Sequence, residues 1–140
     1  MPNQQGRIVN KKPNNKQKTM TKDSKSKPYD LEERTFQFAK SVRLFIKTLE
    51  KTIANIEDAK QVVRSSGSVG ANYIEANEAL SKKDFAFRVK ICRKEAKESV
   101  YWLRLIKETN DLLNADIAEE LIQESTELKK IFSAIVEKSK

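Results

Sequence analysis

The sequence has no histidine, one cysteine, and only three prolines and three glycines in 140 residues. Without histidine, the chain supplies no imidazole base for a Ser-His-Asp triad and no histidine ligand for zinc. A single cysteine forms no internal disulfide, and a thiolate zinc site needs several. These absences exclude the commonest hydrolytic and metal sites. We therefore expect a non-catalytic protein with no catalytic residue, metal or cofactor.

Long apolar runs are also missing. No segment approaches the roughly 18 consecutive apolar residues of a membrane span, and the start lacks the apolar run of a secretory signal. We expect a cytoplasmic protein with no membrane partner.

Proline and glycine are concentrated at the beginning of the chain. Every proline lies within residues 1–28, and residues 29–140 contain only Gly67 and Gly70 as glycines. Tight turns between strands draw on these residue types, so a sheet with many turns is excluded for residues 29–140. The sequence therefore predicts an all-α domain there.

Residues 1–28 carry a net charge of +7 and few branched apolar side chains. Such a segment buries too little apolar surface to offset its ordering entropy, which predicts a disordered basic arm. Two interpretations remain open, a solvated leader or an electrostatic tether to nucleic acid. Translation from Met20 instead of Met1 would remove much of this charge.

The apolar residues of the predicted domain recur at alternating spacings of four and three, which is typical of packed helices. Helix starts are predicted at Asp30, Asn55, Ser81 and either Asn114 or Asp116, all residue types that cap helices. Short links between long helices favour an antiparallel up-down-up-down four-helix bundle. The predicted buried positions are Phe38, Val42, Phe45 and Leu49; Ala59, Val63, Ser66, Gly70, Tyr73, Asn77 and Leu80; Phe85, Val89, Cys92, Ala96, Ser99, Leu103 and Ile106; and Leu121, Ser125, Leu128, Phe132 and Ile135.

More apolar side chains are present than one buried row per helix needs. Exposed apolar patches usually mark interfaces, so we expect self-association as a ring or dimer, with a wide monomeric core as the alternative. The surplus residues are Phe36, Leu44 and Ile46 on the first helix, and Phe87, Ile91, Tyr101, Trp102 and Leu105 on the third.

The second predicted helix contains a run of small residues, RSSGSVGAN. Each interior glycine costs about 1 kcal/mol relative to alanine, so Gly67 and Gly70, on one face, predict the close approach of another helix. Asn72 and Glu75 are predicted to form a structural polar pair. Its expected partner is an arginine, either Arg64 or Arg93.

This run at residues 64–72, with Glu75-Ala76 and Ser81-Lys-Lys-Asp-Phe85 after it, resembles the signature of the bacterial four helix bundle proteins, also called 23S rRNA-intervening sequence proteins. Glu95, Glu98 and Tyr101-Trp102-Leu103 fit the same pattern. The resemblance implies a four-helix bundle that assembles into a homopentameric ring and has no catalytic activity. Similar folds serve as accessory proteins of diversity-generating retroelements, in which a basic pentamer binds nucleic acid and a reverse transcriptase.

Up-down topology assigns the charges to the two ends of the bundle. The end with the start of the third helix has a net charge of +5 without the arm, and the other end −4. We expect the basic end to bind the phosphate backbone of RNA or DNA, and the alternative is that these are ordinary solvated charges. The candidates are Lys82, Lys83, Arg88, Lys90, Arg93, Lys94, Lys97, Lys129 and Lys130.

A protein-interaction scaffold is the alternative function. In that interpretation, the acidic rim of the bundle binds a basic protein partner. The rim consists of Asp116, Glu119, Glu120, Glu124 and Glu127.

Overall fold

A computed structural model of the protein describes residues 30–111 and 115–140. These residues form the predicted antiparallel four-helix bundle, without a strand in either described range. The predicted disordered arm, residues 1–28, lies outside them. The helices are α1 (Asp30–Ile46), α2 (Ile53–Asn77), α3 (Lys82–Glu108) and α4 (Ala115–Lys138).

Among the described residues, contacts group 35–111 and 115–140 into one unit, and residues 30–34 belong to another. Within the described helices, no segment is long and apolar enough to cross a membrane.

Side-chain oxygens cap the N-termini of α2 and α3. Ser81 caps α3 as predicted, since its hydroxyl accepts the backbone N–H of Asp84 at 3.0 Å. The predicted cap of α2 is wrong by three residues. Thr52 is the cap, and its hydroxyl accepts the backbone N–H of Asn55 at 3.1 Å. α4 begins at Ala115, which places Asp116 in its first turn; Asn114 is outside the described residues.

The predicted buried rows of α1, α3 and α4 are largely correct. All four positions predicted for the first helix are buried, although Leu49 lies beyond the end of α1 at Ile46. The predicted positions of α3 are buried except the half-buried Phe85. On α4, Val136 takes the place of the half-buried Ile135. One-sided packing of each helix explains why periodicity found these rows.

The predicted row of α2 is displaced. Leu80 is 98% exposed because the helix ends at Asn77, which is itself exposed. α2 contacts α1 at Gly67 and Gly70 and contacts α3 at Ser65, so its buried face is broader than a single row. The buried residues are Asn55, Val62, Ser65, Ser66, Val69, Tyr73 and Ala76.

Hydroxyl groups occupy the core where α2, α3 and α4 pack together. The buried hydroxyls of Ser65 and Ser99 share a hydrogen bond of 2.8 Å between α2 and α3. Ser125 of α4 donates to the carbonyl of Ala96 on α3 at 2.7 Å. Small side chains let helices approach closely, and these bonds meet the requirement that buried hydroxyls have partners.

Cys92 lies fully buried in the α3 row. Burial raises the pKa of its thiol to about 12, because the low-polarity interior disfavours the thiolate. We therefore expect the native protein to resist a thiol reagent such as Ellman's reagent at pH 8 and the unfolded protein to react at once. Stopped-flow labelling with and without urea measures this. Rapid labelling of the native protein would contradict the burial.

Candidate nucleic-acid interface

The end of α2, the start of α3 and the end of α4 meet at one end of the bundle. They line an open pocket of about 440 Å³, in which Leu80 and Phe85 lie beside Lys82, Lys138 and Lys140. This is the end that up-down topology assigns to the basic candidates. We call it the basic end. Lys138 and Lys140 lie at this end as well, although they were not among the candidates.

Most of the nine candidate residues are accessible. Six are exposed, namely Lys82, Lys83, Lys90, Lys94, Lys97 and Lys130, and three are half-buried, namely Arg88, Arg93 and Lys129. Within residues 30–111 and 115–140, none of the nine forms an ion pair within 4.0 Å. Their positive charges are therefore available to an anionic partner.

Arg88 differs from the other candidates because it is tied to α2. Its guanidinium donates to the side-chain oxygen of Asn72 at 3.3 Å, and the Asn72 amide donates to the carbonyl and the hydroxyl of Ser68, each at 2.9 Å. The predicted pairing of Asn72 with Glu75 is replaced by these bonds. Arg88, in the second turn of α3, reaches Asn72 from the neighbouring helix, whereas Glu75 is exposed on α2.

Arg64 binds two carboxylates of α3. Its guanidinium lies 2.6 Å from Oε2 of Glu98 and 3.3 Å from Oε1 of the buried Glu95. The indole of Trp102 donates to Oε2 of Glu98 at 2.9 Å. Burial by itself raises the pKa of Glu98, but the hydrogen bonds from Trp102 and Arg64 outweigh it, and the pKa is lowered. We call Arg64, Glu95, Glu98 and Trp102 the Arg64 network.

The Arg64 network ends at an exposed aromatic ring. Tyr101 packs edge-on against Trp102 with ring centres 4.9 Å apart, and Tyr101 remains 58% exposed. Both aromatic residues were singled out from the sequence, whereas Arg64 was considered only as one of two possible partners, with Arg93, for the pair of Asn72 and Glu75. The i, i+3 spacing of Glu95 and Glu98, which puts both carboxylates on one face of α3, was the signal for the network.

The opposite end of the bundle is held by polar contacts. Asn55 at the start of α2 and Asn110 after α3 exchange two amide hydrogen bonds, of 2.8 and 2.9 Å. Lys107 of α3 pairs with Glu119 of α4. In the described part of the chain, no three Cys, Asp or Glu side chains are arranged to hold a metal ion.

Comparisons with known proteins found a family model and a solved structure that are similar to the chain. The model of the 23S rRNA-intervening sequence protein family matches residues 27–134. A similar solved structure is that of a protein of unknown function from the S23 ribosomal protein family of Bacteroides thetaiotaomicron. It is 30% identical, covers 75% of this chain and 96% of its own, and superposes with a TM-score of 0.66. No curated protein matches the sequence.

Proposed function

The chain belongs to the 23S rRNA-intervening sequence protein family, and we propose that it is a non-catalytic cytoplasmic protein whose basic end binds the phosphate backbone of RNA or DNA. The observation that carries the proposal is the set of exposed lysines at the start of α3, together with Lys130 of α4. None of them has an acidic partner within 4.0 Å in the described residues. Phosphates would replace the counterions that these lysines attract in solution.

We also propose that several copies assemble into a ring, as a homopentamer. Exposed apolar side chains on more than one helix support self-association, among them Leu44, Ile56 and Ile74. A ring repeats the basic end around one rim, so that contacts which are weak individually act together. Light scattering should report the mass of five chains, and a monomer at every concentration would contradict the assembly.

Binding through the basic end predicts a specific dependence on salt. Lys82, Lys83 and Lys130 are changed together to glutamine, and binding to labelled RNA and DNA is followed by fluorescence anisotropy at several salt concentrations. Each lost phosphate contact reduces the slope of log K against log salt by about 0.7–0.9. We expect a weaker affinity and a slope that is shallower by roughly 2, the sum for three contacts.

A matched variant controls for the general loss of charge. Lys47, Lys51 and Lys60 are also exposed but lie away from the basic end, and their change to glutamine should leave most of the affinity. The absence of binding at low salt would contradict the function. Affinity capture that returns the same basic partner protein with and without nuclease treatment would then favour the protein-interaction scaffold, with the acidic rim as its binding surface.

A further inference from the structure

The solvent-facing side of α3 carries a regular row of exposed residues. Positions 83, 87, 90, 94, 97, 101 and 104 follow the spacings of four and three that place them on one helix face, and all are exposed. We call these seven positions the outer row. Five of them are basic, namely Lys83, Lys90, Lys94, Lys97 and Arg104. The other two are aromatic, Phe87 and Tyr101, which are 57% and 58% exposed.

The charges of the outer row have few acidic neighbours, although Lys94 is near enough to Glu98 to help lower the pKa of that carboxyl. Its four lysines have no ion-pair partner within 4.0 Å among residues 30–111 and 115–140. Arg104 pairs with Glu108 at 3.6 Å, but both side chains are about two-thirds exposed, and such pairs on a helix surface are weak. An anionic partner therefore meets little competition from acidic side chains along this row.

Aromatic rings within an electropositive track are typical of sites for single-stranded nucleic acid. Bases stack on the rings without regard to sequence, and the cations follow the backbone. At 1.5 Å per residue, Phe87 and Tyr101 lie about 21 Å apart along α3, which is the length of several nucleotides. Lys90, Lys94 and Lys97 lie between them, where the connecting phosphates would run.

We propose that the outer row of α3 binds single-stranded RNA or DNA, with Phe87 and Tyr101 each stacking on a base and the lysines between them contacting phosphates. The inference rests on the proposed function, and it adds the kind of strand and the residues that hold the bases. A duplex gains only the phosphate contacts, because its bases are already stacked on one another.

The aromatic side chains of Tyr101 and Phe87 have different surroundings. Tyr101 packs on Trp102, whose indole is held by Glu98 and, through it, by Arg64. A ring that is held in place before binding loses less conformational entropy when a base stacks on it. Phe87 borders a shallow depression with Ser81, Lys83 and Asp84, which leaves room beside the ring.

The charge of the outer row favours nucleic acid over a second copy of the same surface. Two outer rows that faced each other would bring their lysines together, and like charges across an interface are unfavourable. A phosphate backbone has the complementary sign along its whole length. Contact between copies through the outer row would show as a change in oligomeric mass when Phe87 or Tyr101 is replaced.

The test uses the full chain and compares the removal of an aromatic side chain on the outer row with the removal of one elsewhere. Anisotropy is measured with fluorescein-labelled 20-nucleotide oligo-dT and oligo-U and with a 20-base-pair duplex. We expect Phe87→Ala and Tyr101→Ala each to weaken single-strand binding about tenfold and to leave duplex binding nearly unchanged. Phe36→Ala is the matched control, since Phe36 is 61% exposed on α1. Sedimentation checks its oligomeric mass, and with the parent's mass it should bind as the parent does.

Further variants separate ring stacking from apolar volume. Tyr101→Phe keeps the ring and should retain the affinity, whereas Phe87→Leu and Tyr101→Leu keep most of the apolar volume and should lose as much as the alanine variants. Thermal unfolding of each variant checks that the fold is intact. Since both rings are exposed, little change in stability is expected.

Three results would overturn the inference. The first result is that the variants of Phe87 and Tyr101 bind like the parent while the glutamine variant at the basic end binds more weakly. It would contradict binding at the outer row and leave the proposed function supported. The second result is that neither the parent nor any variant binds a probe at low salt, which would contradict both the outer-row proposal and the proposed function. If Phe87→Ala or Tyr101→Ala changes the oligomeric mass in sedimentation and leaves binding per chain unchanged, the row is an interface between copies.

Discussion

Replacing Gly70 by alanine is expected to destabilise the bundle by about 2 kcal/mol, the cost of overpacking a tight contact. The direction is opposite to helix propensity, which favours alanine over glycine by about 1 kcal/mol. A Cβ at Gly70 would lie 2.8 Å from Oγ1 and 3.1 Å from Cβ of Thr35, and 3.6 Å from the carbonyl carbon of the same residue. Because Cβ and backbone atoms cannot rotate away, α1 and α2 would have to separate.

Gly67 provides the matched control on the same helix face. A Cβ there would meet only the guanidinium of Arg43, with Nη2 at 3.0 Å. Arg43 is exposed and flexible, although its guanidinium donates to the carbonyls of Ala39 and Val63, at 3.1 and 3.2 Å. The gain in helix propensity and the disturbance of these bonds oppose each other. We therefore expect Gly67→Ala to stay within about 1 kcal/mol of the parent.

Urea unfolding followed by circular dichroism measures both glycine variants. In a Thr35→Ala background, the cost of Gly70→Ala should decrease, because the contact at 2.8 Å is removed. Equal stabilities of the Gly67 and Gly70 variants would show that the approach of α1 to α2 is not the reason for glycine at position 70.

Replacing Asn55 by alanine is expected to lower the free energy of unfolding by about 1–3 kcal/mol, the cost of leaving buried polar groups unpaired. Asn55 is 4% exposed. Its amide donates to the carbonyl of Glu50 at 2.9 Å and to the side chain of Asn110 at 2.8 Å, and its oxygen accepts from Asn110 at 2.9 Å. Its removal leaves the carbonyl of Glu50 and the side chain of Asn110 without these bonds.

A double-mutant cycle with Asn110→Ala isolates the contribution of the pair. The coupling should be between about 0.5 and 3 kcal/mol, the range for residues in one hydrogen-bond network. Asn55→Asp is a sharper variant of nearly the same size. It puts an acceptor opposite the carbonyl of Glu50, and we expect it to be at least as destabilising as alanine at pH 7. A loss below about 0.5 kcal/mol for Asn55→Ala, the range of ordinary surface changes, would contradict this role.

Features that depend on neighbours in the chain were predicted well. The cap formed by Ser81 and Asp84 spans only four residues, and the buried row of α3 follows from spacing alone. The error at Asn55 shows the limit of such reasoning. Both Thr52 and Asn55 have side chains suited to capping, and the choice depends on Asn110, which is 55 residues away in the sequence but bonded to Asn55 in the fold.

In the candidate site too, local features were predicted from the sequence and contacts between helices were not. Composition identified the basic segment of α3, because charge is counted without knowledge of the fold. It did not separate Arg88, which is bonded to Asn72, from the exposed lysines of the outer row. The partners of Arg64 were also missed, since Glu95 and Glu98 reach it from another helix.

The sequence by itself determined the number of helices and their antiparallel order, which follow from periodicity, capping residues and short links. The family was indicated by the resemblance of the signature residues, and the net charges of the two ends follow from counting along the chain. Only the tertiary structure decided which side of α2 is buried, what the glycines face, and which charged groups are already paired. These properties depend on distances between helices, and side-chain spacing along one helix does not contain that information.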